Sequence, residues 1–138
     1  MEFLATVDRV DLIIAHPPCT ALCVAGNSTY GSGMIKNDER YRAAKWTQDL
    51  WDTCKKKAPA ICLENPVGVL GRLTHLPKPV YVQPYMFGHT EQKKTGLYLF
   101  GLQPLVETDN VYSEMELLPK NQRERLHYLP PSEDRWKL

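Results

Sequence analysis

Two short hydrophobic runs end in residues that could do chemistry. Residues 10–15 (VDLIIA) run into His16-Pro17-Pro18-Cys19, and residues 60–63 (AICL) run into Glu64-Asn65-Pro66. A cysteine is a strong nucleophile only as its thiolate, which needs a lowered pKa. His16, three residues away, could assist, although spacing alone does not place it. A carboxyl group in a partly desolvated cleft tends to have a raised pKa, so Glu64 could hold a proton near neutral pH and donate it. The Asn65 amide offers a donor and an acceptor that could orient a neighbour or a planar base. Taken singly, each has an ordinary explanation: a cysteine after Pro-Pro is more often structural, and Glu-Asn-Pro is a common turn. Placed together at the ends of two adjacent strands, they form a candidate site.

The intervening sequence supplies the frame. Residues 10–15 are rich in aliphatic and β-branched types without clean alternation, which predicts a central parallel strand buried on both faces. Residues 16–38 form a long loop with Pro17, Pro18, Gly26, Asn27, Gly31, Gly33 and Asn37; loops of that length in small domains are usually functional or mobile. Asn37 or Asp38 reads as a helix N-cap with Glu39 in the first turn. Ala43, Trp46, Leu50 and Cys54, with Thr47 and Trp51 beside them, recur at helical spacing. They predict an amphipathic helix of about 15–18 residues. Lys55, Lys56 and Lys57 close it, as the helix dipole favours. Strand, loop, helix and strand make a βαβ unit and hence parallel sheet. Ligands of such sheets sit at the carboxyl ends of the strands, where Cys19 and Glu64 both lie. Further along, residues 68–73 read as a short helix. Residues 79–83 (PVYVQ) and 96–100 (GLYLF) read as strands that a polar turn makes antiparallel. From residue 103 the chain is proline-rich and charged, and little regular structure is expected there.

The chain has 138 residues, enough for one domain with a real core, and 1–138 is read as one small domain. Hydrophobic residues make up 43% and charged residues 24%, typical of a globular chain. The net charge of +1 gives no global argument for nucleic acid or membrane, so any such case rests on local patches. Lys36, Arg40, Arg42, Lys45, Lys55–Lys57, Lys93, Lys94, Arg123, Arg125 and Arg135 are candidates for a basic face. No apolar run approaches about 18 residues, and the acidic N-terminus lacks a signal-peptide layout, so a cytoplasmic location and no membrane partner are expected. Four cysteines, at 19, 23, 54 and 62, do not resemble a secreted disulfide framework. Cys54 and Cys62 read as small buried apolar residues. Cys19, Cys23 and His16, with His75 or His89, give only a weak zinc pattern, and no metal is expected.

Several stretches together resemble one family. "HPPCT" with "ENP" further on looks like the Pro-Cys and Glu-Asn signatures of DNA cytosine-5 methyltransferases. With "QPYMFGHTEQKKTGLYLFGLQPL" and "RLHYLPPSEDRWKL", the chain resembles, over nearly its whole length, the phage and prophage proteins described as cytosine-methylase-like. The resemblance implies that Cys19 adds to carbon 6 of a cytosine that is flipped out or single-stranded, which makes carbon 5 nucleophilic. It implies that Glu64 holds the ring nitrogen 3 and the exocyclic amine, that Asn65 supports that carboxyl group, and that Pro17 and Pro18 form the turn presenting the thiol. Thr20 stands where the family commonly has Gln, and Pro66 where it has Val. Gln83 begins the segment that normally supplies an arginine to the base, but none follows it, which leaves Lys93 or Lys94 as substitute donors or simply as solvated turn residues. S-adenosylmethionine is the implied cofactor. Its usual strand and glycine-rich loop are absent from the sequence before residue 10, and Gly31-Ser32-Gly33 is a poor substitute.

The fold expected is therefore α/β, a partial Rossmann-like mixed sheet with flanking helices, followed by an extended proline-rich segment at 103–138. The lost first βαβ unit would expose a sheet edge, so a homo-oligomer or a partner chain covering it is expected. Two functions follow: a cytosine-5 methyltransferase-like enzyme, alone or with a partner supplying the cofactor site, or a non-catalytic reduced module binding nucleic acid, a nucleotide or a host defence protein. A metal-binding domain is a weaker third.

Overall fold

Alternation of apolar residues along two neighbouring strands fixes where the main sheet buries its weight. In a computed structural model, which describes residues 4, 6 and 8–125, β1 is Leu12–Ala15, β2 Ala60–Pro66, β3 Val80–Val82 and β4 Thr95–Phe100. They form one mixed sheet in the order β1-β2-β4-β3. β1 and β2 are parallel, and β2 and β4 antiparallel. Ile61, Leu63 and Asn65 of β2 are buried while their neighbours are half-exposed. Tyr98, opposite Leu63, is buried on the same face. This is the expected α/β class with a mixed sheet and flanking helices.

The helices are α1 (Asn27–Tyr30), α2 (Asn37–Lys57), α3 (Leu70–Leu73), α4 (Tyr112–Glu116) and α5 (Lys120–Arg123), with 3-10 turns at Val24–Gly26 and Pro84–Met86. α2 is the crossover between β1 and β2. Its Leu50, Trp51 and Cys54 join Ile61 and Leu63 in the core, and each fully buried aliphatic side chain contributes about 2 kcal/mol. The buried stripe differs from the expected one. It comprises Arg40, Ala44, Thr47, Leu50, Trp51 and Cys54, whereas Trp46 is 40% exposed. Thr47 is tolerated inside because its hydroxyl donates to the Ala43 carbonyl at 2.9 Å. The helix is longer than expected, at 21 residues. Asn37 is its first residue, not its cap. The Asn37 side chain instead donates to the carbonyls of Tyr30 and Gly31, both at 2.9 Å.

β1 is not the central, doubly buried strand that its composition suggests. It lies at the edge of the sheet, paired with β2 alone among the described residues. Leu12 and Ile14 are 47% and 60% exposed. The exposed edge expected from the sequence is thus present, at β1.

Contacts divide the chain into two compact units, residues 1–81 with 95–105 and residues 82–94 with 106–138. The first holds the α2 crossover and most of the sheet. In the second, the Met86 carbonyl accepts from Thr108 and Asp109, Gly88 donates to the Asp109 carbonyl, and Tyr85 meets Tyr112 edge to face with centroids 5.2 Å apart. The segment after residue 103 is more regular than expected, since it contains α4 and α5. Residues 126–138, including Arg135 and most of "RLHYLPPSEDRWKL", lie outside the described residues. Among the described residues, no helix is long and apolar enough to cross a membrane.

Candidate functional site

The parallel register of β1 and β2 builds the site. Ala15 pairs with Leu63, so the residues after them, His16 just past the end of β1 and Glu64 within β2, lie side by side on one face. β2 does not end at Glu64 as the sequence suggests, because Glu64, Asn65 and Pro66 still pair with β4. The His16 ring Nδ1 stands 3.1 Å from Glu64 Oε2. This imidazole–carboxylate pair reaches solvent, with side chains 66% and 29% exposed. One residue on, Pro17 and Asn65 meet on the opposite face. Asn65 is 1% exposed, and its Nδ2 donates to the Pro17 carbonyl at 3.3 Å. The amide therefore holds the chain that carries Cys19, whereas support of the Glu64 carboxyl was expected. Asn65 Oδ1 is buried without a partner among the described residues.

Pro17 and Pro18 cannot donate to a ladder, so the strand stops there. Pro17 is buried, Pro18 and Thr20 are exposed, and Cys19 is half-buried. The Cys19 carbonyl accepts from Leu22 N–H at 2.8 Å and Cys23 N–H at 2.9 Å, folding residues 19–23 into one tight turn. Leu22, fully buried, anchors that turn in the core. The turn is then stitched to the segment after β2: Val24 N–H donates to the Val67 carbonyl and Val69 N–H to the Leu22 carbonyl. Gly68 lies between these two bonds. A Cβ on it would stand 2.0 Å from the Leu22 carbonyl oxygen, so only glycine permits the approach. The same logic holds at Gly26, where a Cβ would lie 2.3 Å from the Thr20 carbonyl oxygen.

From below, Arg40 of α2 donates to the Ala21 carbonyl at 2.7 Å, to Asn27 Oδ1 at 2.9 Å and to the Cys23 carbonyl at 3.4 Å. Arg40 is 3% exposed, so it leaves the candidate basic face. Sequence reasoning placed it on the surface, where arginine usually sits. The one local sign of its role is its place on the helix face of Ala44, Thr47 and Trp51.

The thiols of Cys54 and Cys62 are poorly suited to attack. Burial pushes the Cys54 thiol up. Burial, and then the nearby Glu64 carboxylate, push the Cys62 thiol up. Cys62 is half-buried, not fully buried as expected, because it shares the open face of the sheet with Ile14 and Leu99. Among the described residues, no three His, Cys, Asp or Glu side chains gather into a group that could hold a metal, so Cys19, Cys23 and His16 do not form one.

Gln83, Lys93 and Lys94 belong to the second unit. There Gln83 Oε1 accepts from the Lys93 N–H at 2.8 Å, so this oxygen closes the 83–93 turn. Arg125 and Glu91 pair at 2.5 Å in the same unit. The first unit thus holds a half-buried thiol turn that follows β1, and a solvent-reaching carboxyl–imidazole pair between the residue after β1 and a residue within β2. No protein-family model matches the chain, and no curated protein matches it either.

Proposed function

We propose that this chain carries the base-activating half of a DNA cytosine-5 methyltransferase-like site. The observation that carries the reading is the 3.1 Å contact of His16 with Glu64, which sets the Glu64 carboxyl against the chain leaving β1, three residues before Cys19. In this reading the Cys19 thiolate adds to carbon 6 of an extruded or single-stranded cytosine. The electron pair of the 5,6 double bond moves toward carbon 5, and Glu64 holds a proton at ring nitrogen 3. Carbon 5 takes a proton from water. Loss of the original carbon 5 proton and expulsion of the thiolate then restore the base. His16 orients the Glu64 carboxyl, and Asn65 holds the turn.

S-adenosylmethionine would supply the methyl group, but the described residues do not fit it. No strand lies beyond β1 among them, and Gly33 sits in the exposed turn before α2, not between a strand and a helix. The reading is tested without the methyl donor, by incubating the protein with single-stranded DNA in deuterated water and measuring deuterium at carbon 5 of cytosine. Wild type exchanges and Cys19→Ser does not. Equal, background exchange in both would overturn the reading.

The His16–Glu64 contact favours a second reading, in which the carboxylate already has an internal partner and the module binds single-stranded DNA without catalysis. Tight binding of an oligonucleotide with no exchange would select it. The partner proposed for the β1 edge is a second copy. An antiparallel pairing about Leu12 sets Val10 against Ile14 and Asp8 against His16 of the other copy, matching apolar to apolar and acid to base. Ile14→Lys then shifts a sedimenting dimer to monomer; a monomeric wild type would overturn this assignment.

A further inference from the structure

A guanidinium keeps its proton at any ordinary pH, so Arg40 is a permanent charge held 3% exposed beneath the Cys19–Cys23 turn. Its acceptors are two carbonyl oxygens and one amide oxygen. Among the described residues, no carboxylate stands within salt-bridge distance of it. Partial dipoles hold the charge without cancelling it. The acceptors Ala21 and Cys23 lie two and four residues after Cys19, in a turn closed on the Cys19 carbonyl. The charge thus sits under the backbone that presents the thiol.

The elements around the turn carry further charged and titratable groups, among them Tyr30 of α1, whose ring lies by Gly26. His16 and Glu64 face each other. Cys23 lies in the turn itself, with Sγ 3.9 Å from the Thr20 carbonyl oxygen. Lys36 pairs with Glu39 at 3.8 Å beside Asp38 at the start of α2, and Arg72 lies on α3.

We propose that Arg40 is the positioning residue for Cys19: its fork clamps the turn, and its uncompensated charge favours the Cys19 thiolate. This rests on the reading of Cys19 as the reactive group, but its test needs neither DNA nor cofactor. The rate of Cys19 alkylation by iodoacetamide is followed against pH by mass spectrometry of the Cys19 peptide. In this reaction the thiolate forms a sulfur–carbon bond and iodide leaves. The wild-type profile has its midpoint below the value of about 8.5 for an unperturbed cysteine.

Asn27→Asp puts a carboxylate on the Arg40 fork while keeping the clamp, and it raises the midpoint by about half a pH unit or more. Ser28→Asp, with the same added charge one residue away, leaves the midpoint within a smaller shift. Arg40→Lys keeps the charge but cannot span three acceptors, so it holds the midpoint near wild type. Arg40→Met raises it. A purely structural clamp would change the plateau rate and leave the midpoint alone. A wild-type midpoint at or above about 8.5, or an Asn27→Asp profile superimposed on wild type, overturns the proposal. Should Arg40→Met fail to fold, the Asn27→Asp and Ser28→Asp pair decides alone. Shifted profiles without carbon 5 exchange would leave Arg40's role standing while the base-activation reading fails; exchange with unshifted profiles would do the reverse.

Discussion

The turn that carries Cys19 and the turn that carries Lys93 are held by different means. The first is fixed by buried side chains from three directions: Leu22 from within, Arg40 from α2 and Asn65 from β2. The second is closed by the Gln83 side chain, a Gln92 N–H to Arg123 carbonyl bond at 2.6 Å, and the Glu91–Arg125 pair, whose arginine side chain is 53% exposed. Buried groups hydrogen-bonded to the backbone resist displacement, whereas exposed ion pairs contribute little and exchange partners readily. The difference teaches where each unit needs a fixed geometry. A nucleophile has to be held within a fraction of an ångström, while a polar turn can adapt to what it meets.

That contrast can be broken in order of expected effect. Leu22→Ala empties a fully buried position under the Cys19 turn and is expected to cost about 3 kcal/mol in urea unfolding. A loss below about 1 kcal/mol would mean that the turn is not anchored in the core.

Tyr98, buried in the same core as Leu22, gives a pH test. Burial, and then the Tyr81 phenol, push its pKa up to about 12 from 10.0. The folded state therefore keeps a proton that the unfolded chain has lost above pH 10. This contribution is complete below the unfolded value and is lost as pH rises through the folded one. Stability is expected to fall by about 2 kcal/mol between pH 10 and 12, and Tyr98→Phe removes that part of the slope. An unchanged slope in Tyr98→Phe would show that the phenol is not buried in solution.

Asn65→Ala releases the Pro17 carbonyl and is expected to cost about 1–2 kcal/mol. It should also slow Cys19 alkylation while Cys23 alkylates at its wild-type rate. A matching loss at both cysteines would indicate general loosening. Smallest of all, Glu91→Gln in the second turn is expected to change stability by about 0.5 kcal/mol or less, because its partner is exposed. A cost as large as that of Asn65→Ala would erase the contrast between the turns.

Some of this was legible in the sequence and some was not, for identifiable reasons. The β1–α2–β2 unit was legible because two aliphatic runs flank one helical period. Cys19 was legible as a residue following a strand for the same reason, whereas Glu64, read as the strand's end, lies within β2 because the strand stays paired with β4 through Pro66. The edge position of β1 was not, since an aliphatic run looks alike whether a sheet or a groove covers it. In fact a groove of about 380 Å³ runs along it, lined by Val10, Leu12, Ile13, Leu50 and Cys54 among others. Trp46 was placed inside by its spacing with Ala43, Leu50 and Cys54, and Arg40 outside by its charge. Yet Arg40 is buried because loop carbonyls distant in sequence satisfy it, and no local pattern shows that. The His16–Glu64 and Pro17–Asn65 contacts depend on the register Ala15–Leu63. Parallel register is set by the crossover and not by either strand alone. The short helices α4 and α5 were hidden by the prolines and charges around them.

The central claim is that Cys19 and Glu64 act on one base together. Carbon 5 deuterium exchange of cytosine in single-stranded DNA, measured for wild type, Cys19→Ser and Glu64→Gln with each fold checked by circular dichroism, tests it most directly. The account predicts exchange in wild type and a loss of at least about 100-fold in both variants, the scale of an acid–base contribution. Glu64→Gln exchanging at the wild-type rate would contradict it.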